Sequence, residues 1–468
     1  MNRLRFGLLL APVLALAACV DAPVAPTMAG RSADAAFALA ANGYVVAFKN
    51  DKIPSSFATK VASLGGTVTV AYDAVGIAFV DGLSATAAAQ LTQFGDVAPN
   101  VTFQAYPRET PIRVMRASDV KPIPASPTNP SAAAAFGAQW NMRVIGADKA
   151  WAAGKLGSPA VKVAILDTGI DPSYPDLIGR VDFANSISFA PSDHILVDTY
   201  FPGYPYWTDL HFHGTHVAAT VSSNALVTAG VTSKTTLMAV KVLDVNGGGS
   251  ILSVIQGVIY SSVAGANIIS MSVGTVDPPF DMKDKEVKDF FNKLLDRVFA
   301  YAHSKGVMVI VAAGNESQNL AVPQSYKIYC GTQHAICVSA TGPTASAGPF
   351  GPWVNQDAFA SYSNYGTNKI DIAAPGGNTG GAIYGPCSMT SLQIPDCQSD
   401  IFVLGLEGTS MATPHVTGTA ALVMAEKGFG LGAVRSAIFN SATDLGVPGK
   451  DGLFGNGRIN VAKAVGVK

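Results

Sequence analysis

The sequence predicts a large α/β domain with a mostly parallel sheet buried on both faces, from residue 136 to the C-terminus, preceded by a small ferredoxin-like α+β domain over residues 43–104. Three observations carry this. Short apolar runs alternate with helix-periodic stretches in the long C-terminal part, the N-terminal part reads βαββαβ, and a Pro-rich linker at 105–135 separates the two. The 468 residues suffice for roughly three domains of ~150 residues, or for one large α/β domain and a smaller one. A hydrophobic content of 49% with only 13% charged residues, against a typical ~25%, excludes a disordered chain. With 31 Lys+Arg against 32 Asp+Glu the net charge is −1, so no basic field exists to hold a phosphate backbone, and no nucleic-acid partner is expected.

In the small domain, Tyr44–Phe48 is apolar and β-branched, and Pro54–Leu64 opens with a Pro suited to a helix's first turn. Thr67–Ala71 and Gly76–Val80 read as strands around Tyr72-Asp73. Ser84 is a candidate N-cap for the Ala-rich stretch to Phe94, and Val97–Val101 closes the set. Pro107, Pro111, Pro122, Pro124, Pro127 and Pro130 then mark an extended, cleavable linker. In the large domain, Val161–Leu166, Leu237–Leu243, Asn267–Ser270 and Val307–Ala312 suit buried parallel strands. Glu286–His303 carries Val287, Phe290, Phe291, Leu294, Leu295, Val298, Phe299 and Ala302 at helical spacing, with Gly306 as its stop.

Arg3 and Arg5 precede the apolar run Leu8–Ala18, which is shorter than the ~20 residues of a membrane-spanning helix. Residues 1–18, ending Leu16-Ala17-Ala18 before Cys19, resemble a bacterial lipoprotein signal, which implies lipid on Cys19; the alternative is an ordinary secretory signal cut near Ala18. The other four cysteines, Cys330, Cys337, Cys387 and Cys397, are an even number in a chain read as exported, so two disulfides are expected. Of the three pairings, short loop closure favours Cys330 with Cys337 and Cys387 with Cys397; buried free thiols are the alternative.

Four motifs carry the chemistry. Val163–Leu166 runs into Asp167-Thr168-Gly169, a carboxylate at a strand's C-terminal end, where α/β sheets place their ligands. His213-Gly214-Thr215-His216-Val217-Ala218 puts a His at the start of an apolar helix. Gly408-Thr409-Ser410-Met411-Ala412 puts Ser410 at the N-terminus of a small-residue helix, where free N–H groups favour developing negative charge. Pro414 is tolerable there only within the first turn. Val311-Ala312-Ala313-Gly314-Asn315 ends a strand in an amide. The order Asp, His, Ser differs from that of chymotrypsin and of α/β-hydrolases.

From about Gln139 onward these motifs resemble the subtilisin-like serine proteases. The resemblance implies a three-layer subtilisin-like domain in which Ser410 is nucleophile, His213 general base, Asp167 its partner and Asn315 an oxyanion donor. It further implies that Ser272-Val273-Gly274 and Ala312-Ala313-Gly314 line the peptide-binding cleft, that no cofactor or catalytic metal is required, and that polypeptides are the substrates. Ala219 and Thr232-Ser233 depart from the family pattern. The short stretch Val221–Ala229 puts one calcium site of the family in doubt, and structural calcium elsewhere has no assignable ligand set. By the same resemblance, the small domain is an inhibitory propeptide, an intramolecular partner released by autocleavage between Ala105 and Ala135. The precursor at least is expected to be held at a membrane by lipid, in the bacterial cell envelope or secreted after maturation, and to be a monomer. Two insertions carry expectations of their own: Tyr200, Phe201, Tyr204, Tyr206 and Trp207 as a rim of the cleft, and Gly376–Leu406, with Cys387 and Cys397, as a brace on the approach to Ser410. Two alternatives remain: a metal-dependent hydrolase at His211, His213 and His216, and a non-catalytic binding lipoprotein on the same fold.

Overall fold

The computed structural model describes residues 43–104, 113–116, 128–274, 285–322 and 329–468. The expected signal at 1–18, Cys19 and most of the linker lie outside the described residues.

Among the described residues the small domain is a four-stranded antiparallel sheet in the spatial order Thr67–Tyr72, Ile77–Asp81, Tyr44–Phe48, Gly95–Pro99, with helices Phe57–Ser63 and Ala85–Ala89. The element order is the expected βαββαβ, with several boundaries displaced. Phe57 N donates to Pro54 O at 2.9 Å, so Pro54 sits in a turn and the helix starts three residues later. The last strand starts at Gly95 rather than Val97, because a Cβ at Gly95 would lie 2.0 Å from Ala47 O and only glycine permits that approach. Ser84 caps its helix by accepting Ala87 N at 3.2 Å.

One face of this sheet holds its own core, where Phe57 sits edge-on to Phe48 at 4.8 Å and to Phe94 at 5.4 Å, beside Val46, Val80 and Leu91. Its other face, with Val45, Ala47, Ile77 and Phe79, joins a cluster from the large domain that includes Leu252, Ile255, Phe291 and Leu295. Arg297 fastens this contact. Its Nη1 donates to Phe48 O, Val75 O and Gly76 O at 3.2, 3.3 and 3.3 Å, and its Nη2 pairs with Asp51 at 3.1 Å.

The large domain is built on a seven-stranded sheet ordered Ile372–Pro375, Ala335–Thr341, Met308–Ala312, Ile268–Met271, Lys162–Asp167, Thr236–Lys241, Ile187–Ser188, every adjacent pair parallel. Alternation along the strands feeds two layers of helices. Val163, Ile165, Leu237 and Ile310 face a cluster containing Val217, Ala420 and Val423 from helices His213–Val221 and Thr409–Lys427. Ala164, Leu166, Met238 and Val309 face Val254, Val258, Leu294 and Val298 from helices Ile251–Val263 and Lys285–Ser304. That second helix buries Phe291, Leu294, Leu295, Val298, Phe299 and Ala302, and the chain turns at Gly306 with φ +79°.

The chain order reverses at Lys162–Asp167, since Thr236–Lys241 adds on one side of it and Ile268–Met271 on the other. Crevices at such switch points are where α/β sheets bind ligands, and Asp167 occupies this one. Disulfides join Cys330 to Cys337 and Cys387 to Cys397, the latter across the excursion between antiparallel strands Ile383–Pro386 and Phe402–Leu406. Two pieces that follow the four-stranded sheet also pair with the large domain: Thr102–Gln104 with Gly248–Ser250, and Arg113–Arg116 with Phe402–Leu406, both antiparallel. The last residues of the expected linker, from Pro130, are already packed, with Ala134 N and Ala135 N donating to Leu226 O and Val227 O.

Candidate active site

Asp167 ends its strand fully buried, and its Oδ1 lies 2.8 Å from His213 Nδ1 and accepts Thr168 N at 2.7 Å. His213 is also fully buried. The two motifs meet because Gly214 lies at the contact between them, and Gly169 lets the loop before the helix approach the strand end. A Cβ at Gly214 would lie 2.1 Å from Gly169 O, and one at Gly169 would lie 2.4 Å from Trp207 O. Their threonines lock the approach. Thr168 Oγ1 accepts Gly214 N at 2.9 Å and donates to Asp209 Oδ1 at 2.8 Å, while Thr215 N and Oγ1 donate to Asp209 Oδ2 at 2.9 and 2.6 Å. Asp209 Oδ1 also accepts His211 N at 3.0 Å, so one buried carboxylate ties the strand end, the loop and the helix start together. Burial raises the Asp209 carboxyl to about 6 despite the nearby Lys241 charge and these donors. Lys241, itself fully buried, pairs with Asp193 at 2.8 Å and donates to Thr168 O at 2.5 Å.

Ser410 lies in the first turn of helix Thr409–Lys427 and is 5% exposed. Its Oγ is 3.4 Å from Ser272 O, and Ser272 Oγ donates to Ser410 O at 2.8 Å. This second bond resolves a helix defect. Pro414 falls beyond the first turn, contrary to the sequence expectation, and has no N–H for the carbonyl four residues back, which is that of Ser410. Ser272 supplies the missing donor. Strand Ile268–Met271 is thereby tied to the helix start.

Asn315 follows strand Met308–Ala312 across Gly314, whose φ is +97°. Its Oδ1 accepts both Thr409 N and Thr409 Oγ1 at 2.9 Å, so the oxygen end of the amide is fixed and Nδ2 is the end left for a ligand. Gly314 N donates to Thr409 Oγ1 at 2.9 Å, and Asn364 Nδ2 and N hold Ala313 O and Gly314 O at 2.8 and 2.9 Å. The structure therefore brings Asp167 to His213, and Ser272, Gly314 and Asn315 to the Thr409-Ser410 turn.

A profile of the subtilase family matches residues 158–457. The chain belongs to the subtilase family. Thermitase from Thermoactinomyces vulgaris is 32% identical over 335 residues, 70% of this chain and 95% of thermitase. Subtilisin Savinase from Lederbergia lenta is 31% identical over 329 residues, 69% of this chain and 97% of that protein. A thermophilic serine proteinase from Bacillus sp. (strain AK1) is 32% identical over 322 residues, 68% of this chain and 64% of the relative. A crystal structure of a lanthipeptide protease matches with a TM-score of 0.53 at 24% identity, covering 71% of this chain and 93% of that one, which bears on the fold alone. The protein is a subtilase serine protease with the three-layer subtilisin fold.

Several parts of this subtilase's site escaped the sequence reading. Asp209 and Asn364 are buried polar groups that nothing in their local sequence marks as interior, whereas Lys241 is a charge carried inside the run Leu237–Leu243, expected as a buried strand. Gly248–Ser250, to which the sequence assigned no element, is the edge on which the protein's own Thr102–Gln104 lies. The three imidazoles weighed as metal ligands diverge. His216 Nε2 turns to Ile383 O and Leu404 O at 3.1 and 3.2 Å, and His211 Nδ1 receives His213 N at 3.3 Å. Among the described residues no group of three His, Cys, Asp or Glu is placed to hold a metal.

Trp207 corrects the proposed aromatic rim: it is 5% exposed and packs edge-on to Phe183 at 5.0 Å, while Tyr206 stacks on His194 at 4.0 Å. The departure Thr232-Ser233 has a physical role, because Ser233 N donates to Leu156 O at 3.0 Å, a bond that proline cannot make. The excursion closed by Cys387–Cys397 reaches the histidine's loop. Leu392 N donates to Leu210 O at 2.8 Å, Ser388 Oγ and Thr390 Oγ1 donate to Asp209 O at 2.7 and 2.9 Å, and Ser391 Oγ donates to His211 O.

The short loop after the His213 helix closes on Asp176, whose Oδ1 accepts Leu226 N and Val227 N at 2.8 Å and whose Oδ2 accepts Thr228 N and Oγ1 at 2.8 and 2.9 Å. Four donors fill this fully buried carboxylate, so a calcium ion does not fit there without expelling them. Asp176→Asn should cost about 2–4 kcal/mol. The loss in melting temperature should be the same in calcium and in chelator; a loss that vanishes in chelator would show that Asp176 holds a cation.

His415 offers a pH test. Its Nδ1 donates to Met411 O at 2.8 Å and its Nε2 accepts Asn141 Nδ2 at 2.8 Å, an arrangement that requires the neutral ring. Burial lowers it from 6.5 to about 4. Its stabilising contribution is complete above pH 6.5 and is lost as the pH falls toward about 4, because the unfolded chain then takes up a proton that the folded chain refuses. His415→Gln should show a shallower fall in melting temperature between pH 7 and pH 4 than the parent. Comparing variants cancels the buried carboxyls, which act with the opposite sign; equal slopes would refute the assignment.

Proposed function

We propose that the chain is an exported serine endopeptidase made as an autoinhibited precursor, with Asp167, His213 and Ser410 as its catalytic triad and Asn315 as an oxyanion donor. The observation that carries this is the buried Asp167–His213 contact at 2.8 Å, in a fold that also fixes Ser410 in a helix's first turn beside an amide held by its oxygen end. Ser410 Oγ attacks the scissile carbonyl while His213 takes its proton, with Asp167 fixing the imidazole tautomer and stabilising the imidazolium. The oxyanion accepts from Asn315 Nδ2 and the Ser410 backbone N–H. His213 then protonates the leaving amine, and water, deprotonated by the same ring, releases the acyl group. Substrate lies extended on the edges offered by Gly248–Ser250 and Ser272-Val273-Gly274, with Ala312-Ala313-Gly314 beside it, so main-chain bonds give binding that depends little on sequence.

The small domain acts as the inhibitory propeptide. Its support is the burial of one sheet face against the peptidase helices, the Arg297 grip on three of its carbonyls, and the pairing of Thr102–Gln104 with Gly248–Ser250. The lipoprotein-type signal places the precursor in the cell envelope through lipid on Cys19, and two disulfides suit that oxidising side. The divergence of His211, His213 and His216 disfavours a metal-dependent hydrolase.

Ser410→Ala should leave the precursor uncut between Ala105 and Ala135 in a gel time course and inert to a serine-directed inhibitor. Arg297→Ala should shorten the latency before protease activity appears. Processing that persists in Ser410→Ala at unchanged rate would refute self-cleavage, and an unchanged latency in Arg297→Ala would refute the inhibitory contact.

A further inference from the structure

By composition Arg113–Arg116 belongs to a removable linker, yet it is built into the peptidase domain. Its residues pair antiparallel with Phe402–Leu406, from Arg113 opposite Gly405 to Arg116 opposite Phe402. Phe402–Leu406 is thereby the middle strand of three, and all five of its residues are buried. The added strand alternates as a half-buried strand does. Met115 packs into an apolar cluster with Tyr174, Tyr384 and Val403, whereas Val114 is 51% exposed. The Arg116 guanidinium lies 5.7 Å over the Phe402 ring.

Stripped of this partner, Phe402–Leu406 would become an edge with unpaired backbone groups in a buried strand. That strand leads through Glu407, Gly408 and Thr409 to Ser410. A segment that served only to be cut would need neither a half-buried methionine packed on the domain nor a ladder. We propose that Arg113–Arg116 is a resident strand of the mature peptidase, bracing the segment that carries Ser410, so that processing leaves Arg113 and all that follows in the mature chain. This deepens the autoprocessing reading and rests on it for the position of the cut; the strand's structural role does not depend on it. Covalent attachment keeps the strand at high effective concentration beside its edge, so it stays bound once the propeptide departs.

Two measurements on the full-length chain test this. N-terminal sequencing of the matured protein should find a start at or before Arg113; a start beyond Arg116 would overturn the proposal. In the uncut Ser410→Ala chain, Met115→Asp should speed hydrogen exchange at Phe402–Leu406 by about 10-fold or more, while Val114→Asp, on the exposed face, should not. Equal exchange in Met115→Asp and its parent would overturn the proposal even if no processing occurs. A chain that never matures while Met115→Asp exchanges faster would sink the autoprocessing reading and keep the resident strand.

Discussion

A carboxylate sealed from water at the end of a sheet strand is stable only if donors surround it, and the contact between Asp167 and His213 is the point from which the arrangement of this subtilase follows. The imidazole must approach within hydrogen-bond reach, so the helix that bears it must start against the turn after the strand. Glycines at 169 and 214 remove the side chains that would block this, and threonines at 168 and 215 share the Asp209 carboxylate, which fixes the angle. Lys241 and Asp193 extend the polar network beneath the same turn. A buried network of this kind adds little net stability but tolerates few alternative geometries, which suits groups that must not wander.

The other half of the site uses the same logic with neutral groups. Pro414 leaves the Ser410 carbonyl without its helical donor, and Ser272, from a neighbouring strand, supplies one. Asn315 gives its oxygen to Thr409 and so presents its nitrogen. Defects in one element are thus closed by side chains of another, and each closure fixes a side chain of the candidate site in place.

The sequence made the fold class legible because buried parallel strands and amphipathic helices leave different periodicities. Strand ends at Asp167 and Ala312 were found within a residue. Boundaries slipped where one contact decided them, as at Gly95, which follows Ala47, and at Phe57, which follows the Pro54 turn. Short loop closure was enough to suggest both cysteine pairings. Asp209 and Asp176 were not legible, because charge in a sequence reads as solvated surface and only tertiary packing turns it inward. Within the aromatic insertion Trp207 misled for the opposite reason, since it is used by the interior, while Tyr200, Tyr204 and Tyr206 are exposed. The strand at Arg113–Arg116 was hidden inside a proline-rich stretch whose composition says only that it is extended.

The small domain and the peptidase domain share one apolar interface, and the following chain adds a strand at Gly248–Ser250 and another at Phe402–Leu406. The small domain and the chain after it are therefore packed on elements that lead into the Asp167–His213 contact and the Ser410 turn. The most direct measurement is the rate at which a fluorophosphonate labels Ser410 in the matured parent and in Asp167→Asn, with unchanged melting temperature as the control for folding. If the buried carboxylate orients His213 for Ser410, labelling should slow by a factor on the order of 10³–10⁴, as triad substitutions do in other serine proteases. Labelling at the parent rate would show that Asp167 and His213 do not serve Ser410.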